Sequence, residues 1–252
     1  MSARLIFVAA ALLAVGVAAG SAVADLRSVG TPGARPVPVP SAASVVPEPS
    51  GRAGTLPPTT PLAVAERGSG TFAYAVTEGP VRGRAGTLRR YLVAVEGSAG
   101  SDPTTFADAV DAVLGDPRSW IAGGGVRFQR AAHGTAADFT VFLATPATSE
   151  AMCATAGLRT QRFSSCRLPG KVIINAARWT TAVPNYGAPL AEYRSYVINH
   201  EVGHQLGRGH EACPGPGRPA PVMQQQTYGL RGCVANGWPY VDGRLYQGRR
   251  IS

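Results

Sequence analysis

Apolar and polar positions change period several times along this chain, and the changes divide it into segments. From Leu5 to Gly20 the residues are apolar without a break. From Asp25 to about Gly70, Pro, Ala, Ser, Thr and Gly dominate, and neither a helical nor a strand period emerges. Thr71–Val76 then alternates. So does Leu88–Val95, where Tyr91, Val93 and Val95 share one face; both stretches predict strands. Asp102-Pro103 supplies an N-cap and a first-turn proline. Phe106, Val110, Val113 and Leu114 follow at helical spacing, and Gly115 stops the helix. Gly125–Arg130 and Asp138–Leu143 predict two more strands. Lys171–Asn175, apolar through its middle, predicts a central one. Ala188–Leu206 predicts a long helix with Leu190, Tyr193, Val197 and Val202 on its buried stripe. This order suits an α/β (α+β) domain built on a twisted mixed sheet, over residues 71–252.

The segments before it read differently. Residues 1–24 carry an early positive charge, the apolar run and a small-residue Ala22-Val23-Ala24 site, the pattern of a secretory signal with Asp25 as first mature residue. The rival is an uncleaved membrane anchor, because Leu5–Ala24 is just long enough for a hydrocarbon layer of ~30 Å. Either reading puts the bulk of the chain outside the cytoplasm, secreted or at the cell surface. Residues 25–70 read as a Pro/Ala/Ser-rich linker with no packed structure. A pro-segment is the alternative. It holds no cysteine, so only a carboxylate of Asp25, Glu48 or Glu66 can serve as a latch.

Inside the long helix the chain reads His200-Glu201-Val202-Gly203-His204-Gln205-Leu206-Gly207-Arg208-Gly209-His210, or H-E-x-x-H-x-x-G-x-x-H. Residues four apart share a helix face, so His200 and His204 can aim one ring nitrogen each at a common point. Glu201 is offset round the helix and can hold a water there. Gly207 can take the left-handed conformation that ends a helix and return the chain so that His210 becomes a third ligand. Three neutral imidazoles around one open position suit a single catalytic Zn2+. Three of the four histidines of the chain lie in this segment. Glu201 is then the general base for the attacking water.

The extended motif, followed by Pro221-Val222-Met223-Gln224 as a Met-turn, resembles the metzincin zinc endopeptidases. That match covers about Tyr193 to Met223. The longer stretch from about Thr71 to Tyr240 also resembles a bacterial family of secreted predicted metallopeptidases. In that family, stretches like Cys166-Arg167-Leu168-Pro169-Gly170, Asn199–Gly207 and Pro221–Gln226 recur. The resemblance implies a metzincin-like fold with a small irregular C-terminal subdomain after His210. It implies an antiparallel edge strand over the cleft, between Ala144 and Arg167, to which a peptide can add. It also implies Met223 as an apolar floor under the ligands. Some metzincins carry a tyrosine two residues after the methionine. Here that residue is Gln225, and Tyr228 is the substitute candidate for stabilising the oxyanion. Glu211 is a candidate for orienting a ligand histidine by a hydrogen bond, or else a solvated carboxylate.

Charge and cysteines refine the picture. The net charge is +9, yet Lys171 is the only lysine and the arginines are scattered, with no basic run. Nucleic acid is therefore not the expected partner. Weak attraction to an anionic wall or membrane surface stays open. Four cysteines in an exported chain imply disulfides, and three pairings exist. Cys153–Cys166 and Cys213–Cys233 close short local loops and are the favoured pair. Trp179, Trp238 and His133 read as packing or solvated residues. The expected function is a monomeric, secreted zinc endopeptidase acting on peptides or proteins. A zinc amide hydrolase acting on cell-wall peptides and a non-catalytic exported zinc-containing binding module are the alternatives.

Overall fold

A computed structural model describes residues 64–251. The signal or anchor segment and residues 25–63 of the linker lie outside the described residues. Asp25 and Glu48 lie outside them too. Strands β1 (Phe72–Tyr74), β2 (Thr87–Glu96), β3 (Val126–Arg130), β4 (Phe139–Ala144), β5 (Cys166–Leu168) and β6 (Lys171–Asn175) form one mixed sheet. The order runs β1-β2-β4-β6-β5, with β3 pairing the first half of β2 on the β1 side. The β2–β4 and β4–β6 pairs are parallel, and β5 returns antiparallel on β6 as the edge. The fold is therefore α+β, as the residue pattern predicts.

Helices α1 (Pro103–Gly115), α2 (Pro146–Ala154), α3 (Ala176–Thr181) and α4 (Leu190–Gln205) cover the sheet. Helix α1 begins where its cap dictates: Asp102 Oδ1 accepts from the Thr104 and Thr105 amides at 3.0 and 2.9 Å. Phe106, Val110, Val113 and Leu114 of α1 join Tyr91, Val93 and Val95 of β2, and Tyr193, Val197 and Val202 of α4, in the main core. On the opposite face a smaller core sets Ala94, Phe142 and Ile173 against Cys153 of α2 and Cys166 and Leu168 of β5. Alternation along β2 thus sorts its side chains between two cores.

Four expectations change. Strand β6 stands next to the edge, not in the middle. It is apolar through its middle, Val172–Ile174, because helices pack on both of its faces. Helix α4 is buried on every side from Ser195 to Gly203, with the sheet above it and the C-terminal segment below; the single stripe was too narrow a reading. The edge strand falls at the far end of the expected window and runs one residue past it, to Leu168. Residues 64–70, expected in the linker, pack on the domain. Val64 joins the main core, and the Gly70 amide donates to Glu96 Oε1 at 2.7 Å.

Beyond α4 the chain is irregular apart from a 3-10 turn (Gln226–Tyr228) and the hairpin β7 (Tyr240–Val241) with β8 (Arg244–Leu245). Both favoured disulfides are formed, Cys153–Cys166 and Cys213–Cys233. The first ties α2 to the edge strand, and the second staples the irregular segment. Two disulfides suit an oxidising, extracellular environment. Among the described residues no helix is long and apolar enough to cross a membrane.

Candidate metal centre

The site is built at the C-terminal end of α4. The helix ends at Gln205, and Gly207 follows with φ +82°. The Arg208 amide donates to the Gly203 carbonyl at 2.9 Å and the Gly207 amide to that of His204 at 3.0 Å. These paired bonds are the Schellman way of closing a helix, and they need the left-handed residue that glycine supplies. The turn has a second effect. It brings the Arg208 carbonyl back to His204, whose Nδ1 donates to it at 2.8 Å. His200 Nδ1 donates to the Val222 carbonyl, also at 2.8 Å.

Carbonyl oxygens only accept, so each of these Nδ1 atoms carries the ring proton and each Nε2 keeps a free lone pair. Those lone pairs face inward. His204 Nε2 lies 3.2 Å from His200 Nε2 and 3.1 Å from His210 Nε2, and all three ligand atoms lie within 4.8 Å of one another. Zn–N bonds of about 2.05 Å in a tetrahedron put ligand nitrogens about 3.3 Å apart. The donor set therefore fits a metal ion. Burial, and after it the neighbouring His204, pushes the His200 pKa down to about 3. Burial also lowers His204 and His210. The rings are neutral at pH 7, the state in which imidazole ligates.

Glu201 is buried and lines the same cleft as the three rings, and burial pushes its carboxyl up to about 8. Met223 lies fully buried beneath α4, where a Cβ on Gly203 would collide with its sulfur and sit 2.8 Å from Trp120 Cζ2. The Pro221–Gln224 turn thus presses on the helix one residue before His204 and supplies the carbonyl that orients His200.

Other expected residues fall differently. Glu211 orients no histidine. Its carboxylate accepts from the Gly248 amide at 2.9 Å and from Gln247 Nε2 at 3.3 Å, tying down the C-terminal segment. Backbone carbonyls have taken the orienting role, and no side-chain pattern announces them. Glu66, weighed as a latch, pairs with Arg162. Trp179 and Trp238 are core residues, and exposed His133 stacks on Tyr74. Tyr228 does line the cleft. Its hydroxyl donates to Ser164 Oγ at 2.8 Å, across to the loop that leads into β5.

Sequence reading missed Tyr196, which stands one helical turn before His200 and lines the cleft beside it. It also missed Asn199, whose side chain bonds Ser119 Oγ at 2.8 Å and the Gly237 carbonyl at 2.9 Å, fixing the helix just before His200. The i, i+4 relation of Tyr196 to His200 was a usable signal; Asn199 carried none. The cleft has a volume of about 510 Å³, and its lining includes β5 and the turn around Tyr228.

No curated protein and no solved structure matches the chain. A family model described as "Protein of unknown function (DUF3152)" matches residues 56–240, a span that takes in the whole sheet, the three histidines and the Met223 turn. On that match over more than half its length, the chain belongs to the DUF3152 family.

Proposed function

We propose that the chain is an exported zinc-dependent peptidase of metzincin type. One observation carries the reading: three neutral Nε2 atoms converge beside a buried carboxylate in an open cleft. His200, His204 and His210 would hold the ion. Three nitrogen donors with room for a fourth partner favour Zn2+ over the harder cations that prefer oxygen. When bound, the ion supplies Lewis acidity toward a substrate carbonyl.

The protein's own groups do the rest. The Val222 and Arg208 carbonyls hold two of the rings in the ligating tautomer. Glu201 takes the proton of the attacking water and returns it to the leaving nitrogen. Its raised pKa makes it a stronger base than an exposed glutamate, and a dication beside it draws that value back toward neutrality. Edge strand β5 offers an unpaired side to an extended peptide. Tyr228, which lines the cleft and donates to Ser164 Oγ, is the candidate to stabilise a developing oxyanion.

The test compares wild type with Glu201→Ala. Both are expected to bind one zinc per chain by elemental analysis. The variant is expected to cleave a diverse peptide mixture about 10²–10⁴-fold more slowly. Equal turnover in both, or a wild type that binds no metal, rejects the proposal.

A further inference from the structure

Three arginines line the metal cleft, Arg159, Arg167 and Arg208, against the single carboxylate of Glu201. None of the three forms an ion pair among the described residues. Arg167 is the most defined. It is the middle residue of edge strand β5, whose Cys166 and Leu168 point into the small core, so strand alternation turns Arg167 toward α4. There its Nε donates to Gln205 Oε1 at 2.8 Å, on the residue that follows ligand His204. Its Nη groups have no acceptor among the described residues. A half-buried guanidinium held by a neutral amide has its orientation fixed while its charge stays uncompensated. Arg208 also lines the cleft, its guanidinium 5.6 Å from the centre of the Trp120 ring. Arg159 is exposed at the rim. A cleft lined by one sign of charge focuses its field on whatever enters.

We infer that this cleft selects peptides carrying a side-chain carboxylate close to the bond to be cut, with Arg167 as the residue that recognises it; this rests on the peptidase reading above. A guanidinium with two free Nη groups matches a carboxylate in bidentate fashion, which a lysine could not do. A peptide laid along β5 places alternate side chains on the α4 face, where Arg167 waits. Arg159 and Arg208 strengthen the attraction without fixing a position.

The experiment uses two fluorescent peptides of equal length, identical except that one carries Glu where the other carries Gln. Binding to the full chain is read by anisotropy after chelation, so the result does not depend on turnover. Cleavage of the same pair by the zinc-loaded chain is read separately. The Glu peptide is expected to bind at least about tenfold more tightly, a difference that shrinks as salt is raised. Arg167→Gln is expected to remove most of the difference, and Arg167→Glu to transfer preference to a Lys peptide. That gain cannot come from misfolding. Arg84→Glu, the same charge change at an exposed residue outside the cleft, is expected to leave the preference intact. Equal affinity for the Glu and Gln peptides overturns the inference, as does an identical loss in the Arg84 and Arg167 variants. Selective binding with no cleavage of either peptide overturns the peptidase reading and leaves the carboxylate selection standing. Equal binding and equal cleavage of both do the reverse.

Discussion

His204 sits at the middle of the ligand trio, in contact with both of the other rings, and what fixes it is a main-chain carbonyl four residues on. The three histidines that could hold an ion were legible because H-E-x-x-H-x-x-G-x-x-H states them in side chains. The orienting groups were not, because Val222 and Arg208 contribute only carbonyls, which every residue has. Glu211 looked suitable by adjacency to His210, yet adjacency in sequence does not fix direction, and its carboxylate faces Gly248. The pH behaviour of Glu201 belongs to this scale. Its folded pKa of about 8 lies above its ordinary value of 4.5. The stability linked to its proton is therefore complete below about pH 4.5 and is lost as pH rises through about 8. Metal-free Glu201→Gln protein is expected to melt higher than metal-free wild type near pH 9, with the gap closing toward pH 4. Calorimetry across that range checks it, and a gap independent of pH would sink the assignment.

Elements with a full period or a clear cap were readable, and short or enclosed ones were not. Helix α1 follows from Asp102 and Pro103. Helix α3 has six residues and strand β5 three, too few to display a period. Helix α2 has a start signal in Thr145-Pro146, with the proline in its first turn. The end of α4 was legible from Gly207, and its conformation can be tested directly. Gly207→Val forces a β-branched residue to φ +82°, at a cost of about 1–3 kcal/mol. It also displaces the Arg208 carbonyl from His204. Denaturant unfolding is expected to show that loss, and competition with a chelator a weaker hold on zinc. Gly209→Ala is the control: that glycine has no left-handed φ and a Cβ there meets nothing within 4 Å. Equal effects of the two substitutions would remove the turn from the account.

At the scale of the molecule, the sheet and the irregular C-terminal segment meet on α4, and the histidines come from that helix and that segment. Two come from the helix and one from the segment beyond Gly207. An ion there joins the two parts. Zinc at a hundredfold excess over its Kd is expected to stabilise the fold by about 2.7 kcal/mol, and a chelator to reverse it. A melting temperature insensitive to both would mean that no ion bridges the parts. The C-terminal segment was the least legible region, since its order comes from non-periodic bonds. Gln226 Nε2 donates to the Asn236 carbonyl at 2.7 Å, and Asn236 Nδ2 to that of Ala220 at 2.9 Å. The stretch from Arg249 to Ile251 is laced to the His210 loop in the same way. The Ile251 amide donates to the His210 carbonyl at 3.0 Å, and the Ala212 amide to that of Arg249 at 2.9 Å. Anyone producing this protein inherits a practical constraint from that strap. A purification handle placed hard against Ile251 would pull on the loop that carries His210, so a recombinant version measured for metal uptake needs its handle elsewhere or set off by a long, slack spacer.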